Sequence, residues 1–204
     1  LQGCFRHYGK RGRAQMTAGL ILSGGASQRM GQPKALLRLG SQTFLERLLE
    51  VFDQFCSPTL VVTGAHHHEI LARIDSRRLV YNADHEQGMF SSLQCGLTAL
   101  PQASRLLFSP VDFAGVSAAT VAELFAAPVN SVIKPRWRDQ SGHPVLLAVP
   151  ALAALRAAAP SDNAKAILSG LPGSYVDVDD PFVALDCDTP ADYSRLCSLW
   201  QPTE

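Results

Sequence analysis

Two adjacent glycines, Gly24 and Gly25, end an apolar run in the stretch GLILSGGASQRMGQPKALL, and Arg29, Gly31 and Lys34 follow with no acid among them. Glycines let a backbone approach a ligand closely, and a guanidinium and an ammonium behind them fit an anion. Two familiar phosphate loops fail on register. A P-loop needs G-x-x-x-x-G-K-S/T, whereas Gly25 and Gly31 have five residues between them and Lys34 stands three past the second glycine. The dinucleotide pattern G-x-G-x-x-G is not supplied either. Elsewhere, Asp112 follows the apolar run RLLFSPV, and Asp186 and Asp188 lie in DCDTP. A lone aspartate after a strand ordinarily reads as a turn or helix cap. In DCDTP the cap is already supplied by Thr189, with Pro190 first in the helix and Asp192 completing an approximate capping box, so Asp188 is free for other work. Asp186 competes with it, because alternation along a strand puts both on one face.

Something must hold these residues together. Short apolar runs at Gly19–Leu22, Thr59–Thr63, Leu79–Tyr81, Arg105–Ser109 and Ser131–Lys134 read as strands. Helical patterns cover Thr43–Phe55, His67–Ile74, Met89–Leu100 and Ser117–Ala127. This alternation predicts a mostly parallel sheet with helices on both faces, whose ligand sits at the carboxyl ends of the strands, in the loops after Leu22, Thr63, Tyr81 and Ser109. After Pro135 the pattern predicts a turn and an added strand in RWRDQSGHPVLLAV. Helices from Ala151 and Asn163 follow, then a strand pair near YVDVDDPFVALD and a closing helix over Pro190–Trp200.

The length of 204 residues asks for one domain, expected over 16–204, with a half that carries the glycine loop (16–130) and a second, substrate half (131–204) meeting near 128–139. Residues 1–15 read as an extension or tag-like tail. Lysine plus arginine equal aspartate plus glutamate at 18 each, so no global field draws the chain to nucleic acid, and no apolar stretch has bilayer length. Five scattered cysteines without a C-x-x-C pair indicate neither a disulfide framework nor zinc, and a cytoplasmic setting is expected. The run His66-His67-His68 reads as a solvated helix start, since consecutive histidines point apart. Trp137 and Trp200 read as packing anchors, Trp137 lying near enough to the acceptor segment to offer a stacking surface.

The glycine loop resembles the signature of the MobA/MocA-like nucleotidyltransferases that act on molybdenum cofactor. Ser23, Gly24, Gly25, Ser27, Arg29, Met30, Gly31, Pro33 and Lys34 fall on its pattern. Four further segments in order resemble the family: YNADHEQGMFSSLQCGL, SPVDFAG, SGHPVLL and LDCDTPADY. Ala114 stands where the family usually has proline, which should alter the turn after Asp112 but not its carboxylate. The resemblance implies a Rossmann-like three-layer α/β/α fold of the nucleotide-diphospho-sugar transferase type. It also implies an enzyme that joins an acceptor phosphate to the α-phosphate of a nucleoside triphosphate and releases pyrophosphate.

Such chemistry asks for in-line positioning and cancellation of charge on the phosphates. On this reading Arg29, Lys34 and Asp112 are catalytic: Arg29 takes the leaving β- and γ-phosphates and Lys34 the α-phosphate. Leu22, Ser23, Gly24, Gly25, Ser27, Asn82, Gly88 and Ser92, with Arg29 and Lys34, bind the nucleotide. Ser91 and His143 bind the acceptor, although serine capping explains Ser91 and Ser92 equally well. Asp112 and Asp188 hold Mg²⁺, with Mn²⁺ as a substitute. No general base is needed, because a phosphomonoester with a second pKa of about 6 is already ionised.

The nucleotide is read as CTP and the acceptor as molybdopterin. Pro33-Lys34 and GHPVLL look cytidylyl-like, whereas Gly24-Gly25 looks guanylyl-like. Other readings are GTP as donor, a sugar phosphate as acceptor, and a non-catalytic nucleotide-binding chaperone for a molybdenum enzyme. A molybdenum hydroxylase or its chaperone is the expected protein partner, with no nucleic acid and no membrane.

Overall fold

A computed structural model describes residues 16–128 and 130–201. The elements in chain order are β1 (Thr17–Ser23), the short strands β2 (Arg38–Leu39) and β3 (Gln42–Thr43), α1 (Phe44–Asp53), β4 (Thr59–Thr63), α2 (His67–Leu71), β5 (Leu79–Tyr81), α3 (Met89–Ala99), β6 (Arg105–Pro110) and α4 (Ala118–Ala126). They continue with β7 (Val132–Trp137), β8 (Gln140–Ser141), β9 (Val145–Ala148), α5 (Val149–Ala157), α6 (Ala164–Ser169), β10 (Gly173–Asp177) and α7 (Pro190–Leu199).

The sheet order is β10-β7-β9-β6-β1-β4-β5, with β8 paired to β7 and β2-β3 a separate hairpin. Pairing is parallel for β1 with β4 and β6, for β4 with β5, and for β7 with β10. Only β8 and β9 run the other way, β9 pairing antiparallel with both β6 and β7. The carboxyl ends of the parallel strands therefore open on one edge.

Every residue of β1 is buried, as a strand covered on both faces must be. Period-two alternation sends Ile21 to a core with Leu45, Leu48, Leu107, Leu124 and Leu196, on the face of α1, α4 and α7. Leu20 and Leu22 point to a second core with Leu93, Leu97, Leu106, Leu152 and Leu155, under α3 and α5. Gly96 lets α3 press onto β1: a Cβ there would stand 2.5 Å from Leu20. That close packing brings the start of α3 beside the glycine loop.

The mostly parallel α/β layering is as expected, and several helix starts follow their capping residues. Thr43 and Thr189 form capping boxes with Glu46 and Asp192, and Ser117 and Asn163 cap α4 and α6. Other expectations are corrected. The β2-β3 hairpin is additional and α5 begins at Val149, while the strand expected in RWRDQSGHPVLLAV is β9, which enters the sheet between β6 and β7. The strand pair near YVDVDDPFVALD is one strand, β10, followed by a 3-10 turn at Pro181–Val183. Buried Asp180 accepts hydrogen bonds from Ser117 N (2.9 Å), Thr120 Oγ1 (2.7 Å) and Phe182 N (3.0 Å), which tightens the chain into that turn. Asp186 thus lies in irregular backbone and is exposed, so the alternation argument linking it to Asp188 does not apply.

Candidate active site

The carboxyl edge of β1 and β6 opens into a cleft of about 380 Å³. Its floor is the loop after β1, where Ser27 has φ 51 and Gly31 φ 73. The Ser27 carbonyl accepts hydrogen bonds from Met30 N (3.0 Å) and Gly31 N (3.1 Å), and the Ser27 hydroxyl accepts one from Lys34 N at 3.2 Å. Met30 is buried and pins the turn to the core. Leu22, Ser23, Gly24, Gly25, Ser27, Arg29 and Lys34 line the cleft. Gly24 permits contact with α3, since a Cβ would stand 2.6 Å from Ser92 Oγ. Gly88, with φ 97, and Met89 bring the α3 N-terminus to the opposite wall, where its free N–H groups favour an anion.

Four charged side chains meet at the mouth. Lys34 Nζ donates to Asp112 Oδ2 at 2.9 Å and to Asp188 Oδ1 at 2.5 Å, and Arg29 Nη2 donates to Asp188 Oδ2 at 2.6 Å. Burial opposes the Lys34 charge, but the hydrogen bond to Asp188 and the field of Asp112 outweigh it and hold its pKa above the ordinary lysine value. Burial raises the Asp112 pKa despite Lys34. The hydrogen bond from Lys34 lowers that of Asp188. The Lys34 side chain is 11% exposed and Arg29 70%, so Lys34 is clamped while Arg29 is tied by a weak surface pair and free to reach a ligand.

These four charges cancel. A triphosphate entering the cleft meets two cations already neutralised by carboxylates, and a further cation on those carboxylates would release them. The Lys34 ammonium is itself a stand-in: one positive centre within hydrogen-bonding distance of an oxygen from each carboxylate. Two carboxylates completed by phosphate oxygens and water form a donor set that suits a small hard cation. Among the described residues there is no cluster of three or more His, Cys, Asp or Glu side chains that could hold a metal without the substrate.

Three expected contacts are elsewhere. Asn82 is buried and does not line the cleft; its Nδ2 donates to Ser91 Oγ (2.9 Å) and Ser92 Oγ (3.1 Å), tying the end of β5 to α3. Ser91 donates to the carbonyls of Asp84 and Gly88 and faces away from the cleft, while Ser92 lines it. His143 lies between the rings of Phe108 and Phe113, centroids 5.4 and 4.8 Å away, and is also outside the cleft lining. Burial lowers its pKa to about 4, leaving it neutral near pH 7, and its buried Nδ1 has no partner among the described residues.

Sequence reasoning missed two histidines. His85 lines the cleft. His66 braces the glycine loop from behind: its Nε2 donates to the Ala26 carbonyl at 3.1 Å, while Ala65 N donates to the Gly24 carbonyl at 3.2 Å. A run of three histidines gives no local signal of this, because the partner is 40 residues away. His66→Ala is expected to weaken nucleotide binding about fivefold through loss of one hydrogen bond to the loop, with the melting temperature little changed. Titration calorimetry with a non-hydrolysable triphosphate checks this, and unchanged affinity would remove His66 from the loop's support.

A family model described as the MobA-like NTP transferase domain matches residues 19–178. The chain belongs to this family. It is therefore a nucleotidyltransferase. A relative, the molybdenum cofactor cytidylyltransferase of Escherichia coli, is 27% identical over 178 residues, 85% of this chain and 92% of the relative. A probable molybdenum cofactor guanylyltransferase of Bacillus cytotoxicus is 27% identical over 109 residues, 52% of this chain and 54% of that one. Among solved structures, Rv0371c of Mycobacterium tuberculosis H37Rv is similar with a TM-score of 0.78 at 26% identity, covering 91% of this chain and 99% of that one. A manganese complex of Rv0371c gives a TM-score of 0.73 at 24% identity, covering 90% of this chain and 99% of that one. The structural likeness to Rv0371c thus extends over nearly the whole described chain. Among the described residues no helix is long and apolar enough to cross a membrane.

Proposed function

We propose that the protein transfers CMP from CTP to the terminal phosphate of molybdopterin, using Mg²⁺ and releasing pyrophosphate. The observation that carries this reading is the convergence of Arg29, Lys34, Asp112 and Asp188 at the mouth of the glycine loop. Binding alone does not need two cations and two carboxylates so arranged. The name and near full-length match of the Escherichia coli relative support the cytidylyl assignment and the acceptor.

A phosphate oxygen of the acceptor forms a bond to the α-phosphorus while the bond from that phosphorus to the β-phosphate oxygen breaks. The loop N–H groups and the start of α3 bind and orient the triphosphate. Lys34 balances charge on the α-phosphate, and Arg29, held only by an exposed pair, turns to the departing pyrophosphate. Asp112 and Asp188 would hold Mg²⁺, which when bound neutralises phosphate charge. Mn²⁺ is expected to substitute, as the manganese complex of a relative supports. No side chain removes a proton from the nucleophile, because the acceptor phosphate is already ionised.

GTP is the second reading, favoured by the Bacillus cytotoxicus relative and by Gly24-Gly25. The test is pyrophosphate release from CTP, GTP, ATP and UTP in turn, with Mg²⁺ and with or without molybdopterin. Acceptor-dependent release with CTP alone is expected. Release with GTP alone would move the protein to the guanylyl reaction, and release with none would overturn both readings.

A further inference from the structure

A second cleft, of about 750 Å³, opens on the same edge of the sheet. One wall is the β7–β8 turn carrying Trp137, Arg138 and Asp139; the other is Asp177–Asp179 with Pro181. Strand register fixes its distance from the triphosphate cleft. Leu107 of β6 and Ile133 of β7 both pair with Leu146 of β9, so they stand at one level. Trp137 is four residues beyond Ile133, and Asp112 is five beyond Leu107. β6 ends at Pro110, three residues beyond Leu107, so the strand end at Trp137 and the strand end that leads into the Asp112 turn are near the same height, two strand spacings or about 10 Å apart across the sheet. The segment from Pro181 to Asp188 runs from one cleft to the other, fastened midway where His143 N donates to the Val183 carbonyl at 2.9 Å.

The chemistry of the two clefts differs. The first gathers cations around a phosphate loop. In the second, Arg136 is already neutralised by Asp177, with Nε to Oδ1 at 2.6 Å and Nη2 to Oδ2 at 3.0 Å. The Arg138 guanidinium lies over the Trp137 ring, 4.4 Å from its centroid. Asp139 and Asp179 make no hydrogen bond or ion pair with other described residues and are exposed on the rim. Two guanidiniums against three carboxylates disfavour a phosphate. A flat indole with a guanidinium stacked on it, bordered by carboxylate acceptors, fits instead a flat heterocycle that bears ring N–H or amino donors.

We infer that this second cleft binds the heterocyclic end of the acceptor, with Trp137 stacking on the ring and the Asp179 carboxylate accepting its N–H groups, while the acceptor phosphate reaches into the first cleft, whose β6 edge is about 10 Å away. This rests on the proposed acceptor, since a pterin carries both an amino group and a ring N–H. It adds where the ring is recognised and by which residues.

The test is equilibrium dialysis of 6-hydroxymethylpterin, an acceptor ring without phosphate, against the whole protein, with CTP affinity measured in parallel. Saturable binding by the unaltered protein is expected. Trp137→Ala and Asp179→Asn should each weaken it about tenfold or more, and Trp137→Phe by less than about threefold, with CTP affinity unchanged. Because Trp137 also packs against the core, the exposed Asp179→Asn variant decides if Trp137→Ala fails to fold. No pterin binding by the unaltered protein, or equal binding by Asp179→Asn, overturns the inference. Failure of every triphosphate to release pyrophosphate with molybdopterin would instead overturn the proposed reaction, and the dialysis would still report on the ring site.

Discussion

Lys34→Ala is expected to lower turnover about a thousandfold while triphosphate affinity falls by no more than about tenfold. The ammonium is the only group hydrogen-bonded to both Asp112 and Asp188 among the described residues, and its side chain is 11% exposed, so its charge acts with little screening by water. Charge gathering on the α-phosphate in the transition state is where such a group contributes most. The ground-state triphosphate still has the loop N–H groups and Arg29. Single-turnover rates and nucleotide titrations separate the two effects, and equal losses in both would end the transition-state assignment.

The same substitution has a pH signature. Burial already raises the Asp112 pKa, and removing Lys34 takes away the charge that opposes the rise. A carboxyl with a raised folded-state pKa keeps its proton longer in the folded chain than in the unfolded one. Its ionisation therefore costs stability as pH climbs from the unfolded value, about 3.9, through the folded one. Lys34→Ala should lose about 2 kcal/mol at pH 7 and recover part of it as the pH falls towards the unfolded carboxyl value, measurable as a shift in the urea midpoint.

Asp188→Asn is expected to act with opposite signs on two readouts. Turnover with metal should fall by about a hundredfold or more, because one of the two carboxylates able to hold the cation is gone. Binding of the triphosphate without metal should tighten about threefold to tenfold, because Arg29 and Lys34 both lose the carboxylate they now hold at 2.6 and 2.5 Å. A misfolded variant would weaken both. Helix α7 should survive, since Thr189 and Asp192 cap it without Asp188: Thr189 N donates to Asp192 Oδ2 at 2.8 Å, and Asp192 N to Thr189 Oγ1 at 3.3 Å. Weaker metal-free binding would mean that Asp188 is not competing with phosphate for these cations.

Local physics made much of this legible before any coordinates. The apolar run of β1, the capping box at Thr189 and the breaks at glycine and proline depend on residues close in sequence. The glycine loop could be read because a left-handed turn and two cations at fixed offsets are written in ten residues. Ser91 stayed open for the same reason: a serine at a helix start is equally a ligand or a cap, and only the nearby carbonyls of Asp84 and Gly88 show where its hydroxyl goes.

The sequence by itself determined the parallel α/β layering, the glycine loop with its two cations, and Asp112, leaving Asp188 in competition with Asp186, because hydrophobic period, turn geometry and charge are properties of short segments. Only the tertiary structure decided that the charges of Arg29, Lys34, Asp112 and Asp188 cancel one another, that His66 holds the loop from behind, that β9 enters the sheet antiparallel, and that Trp137 faces a second cleft near the height of the β6 end. Each of those joins residues tens to more than a hundred positions apart. Which distant groups meet is set by how the helices and strands pack, and no local pattern carries that information.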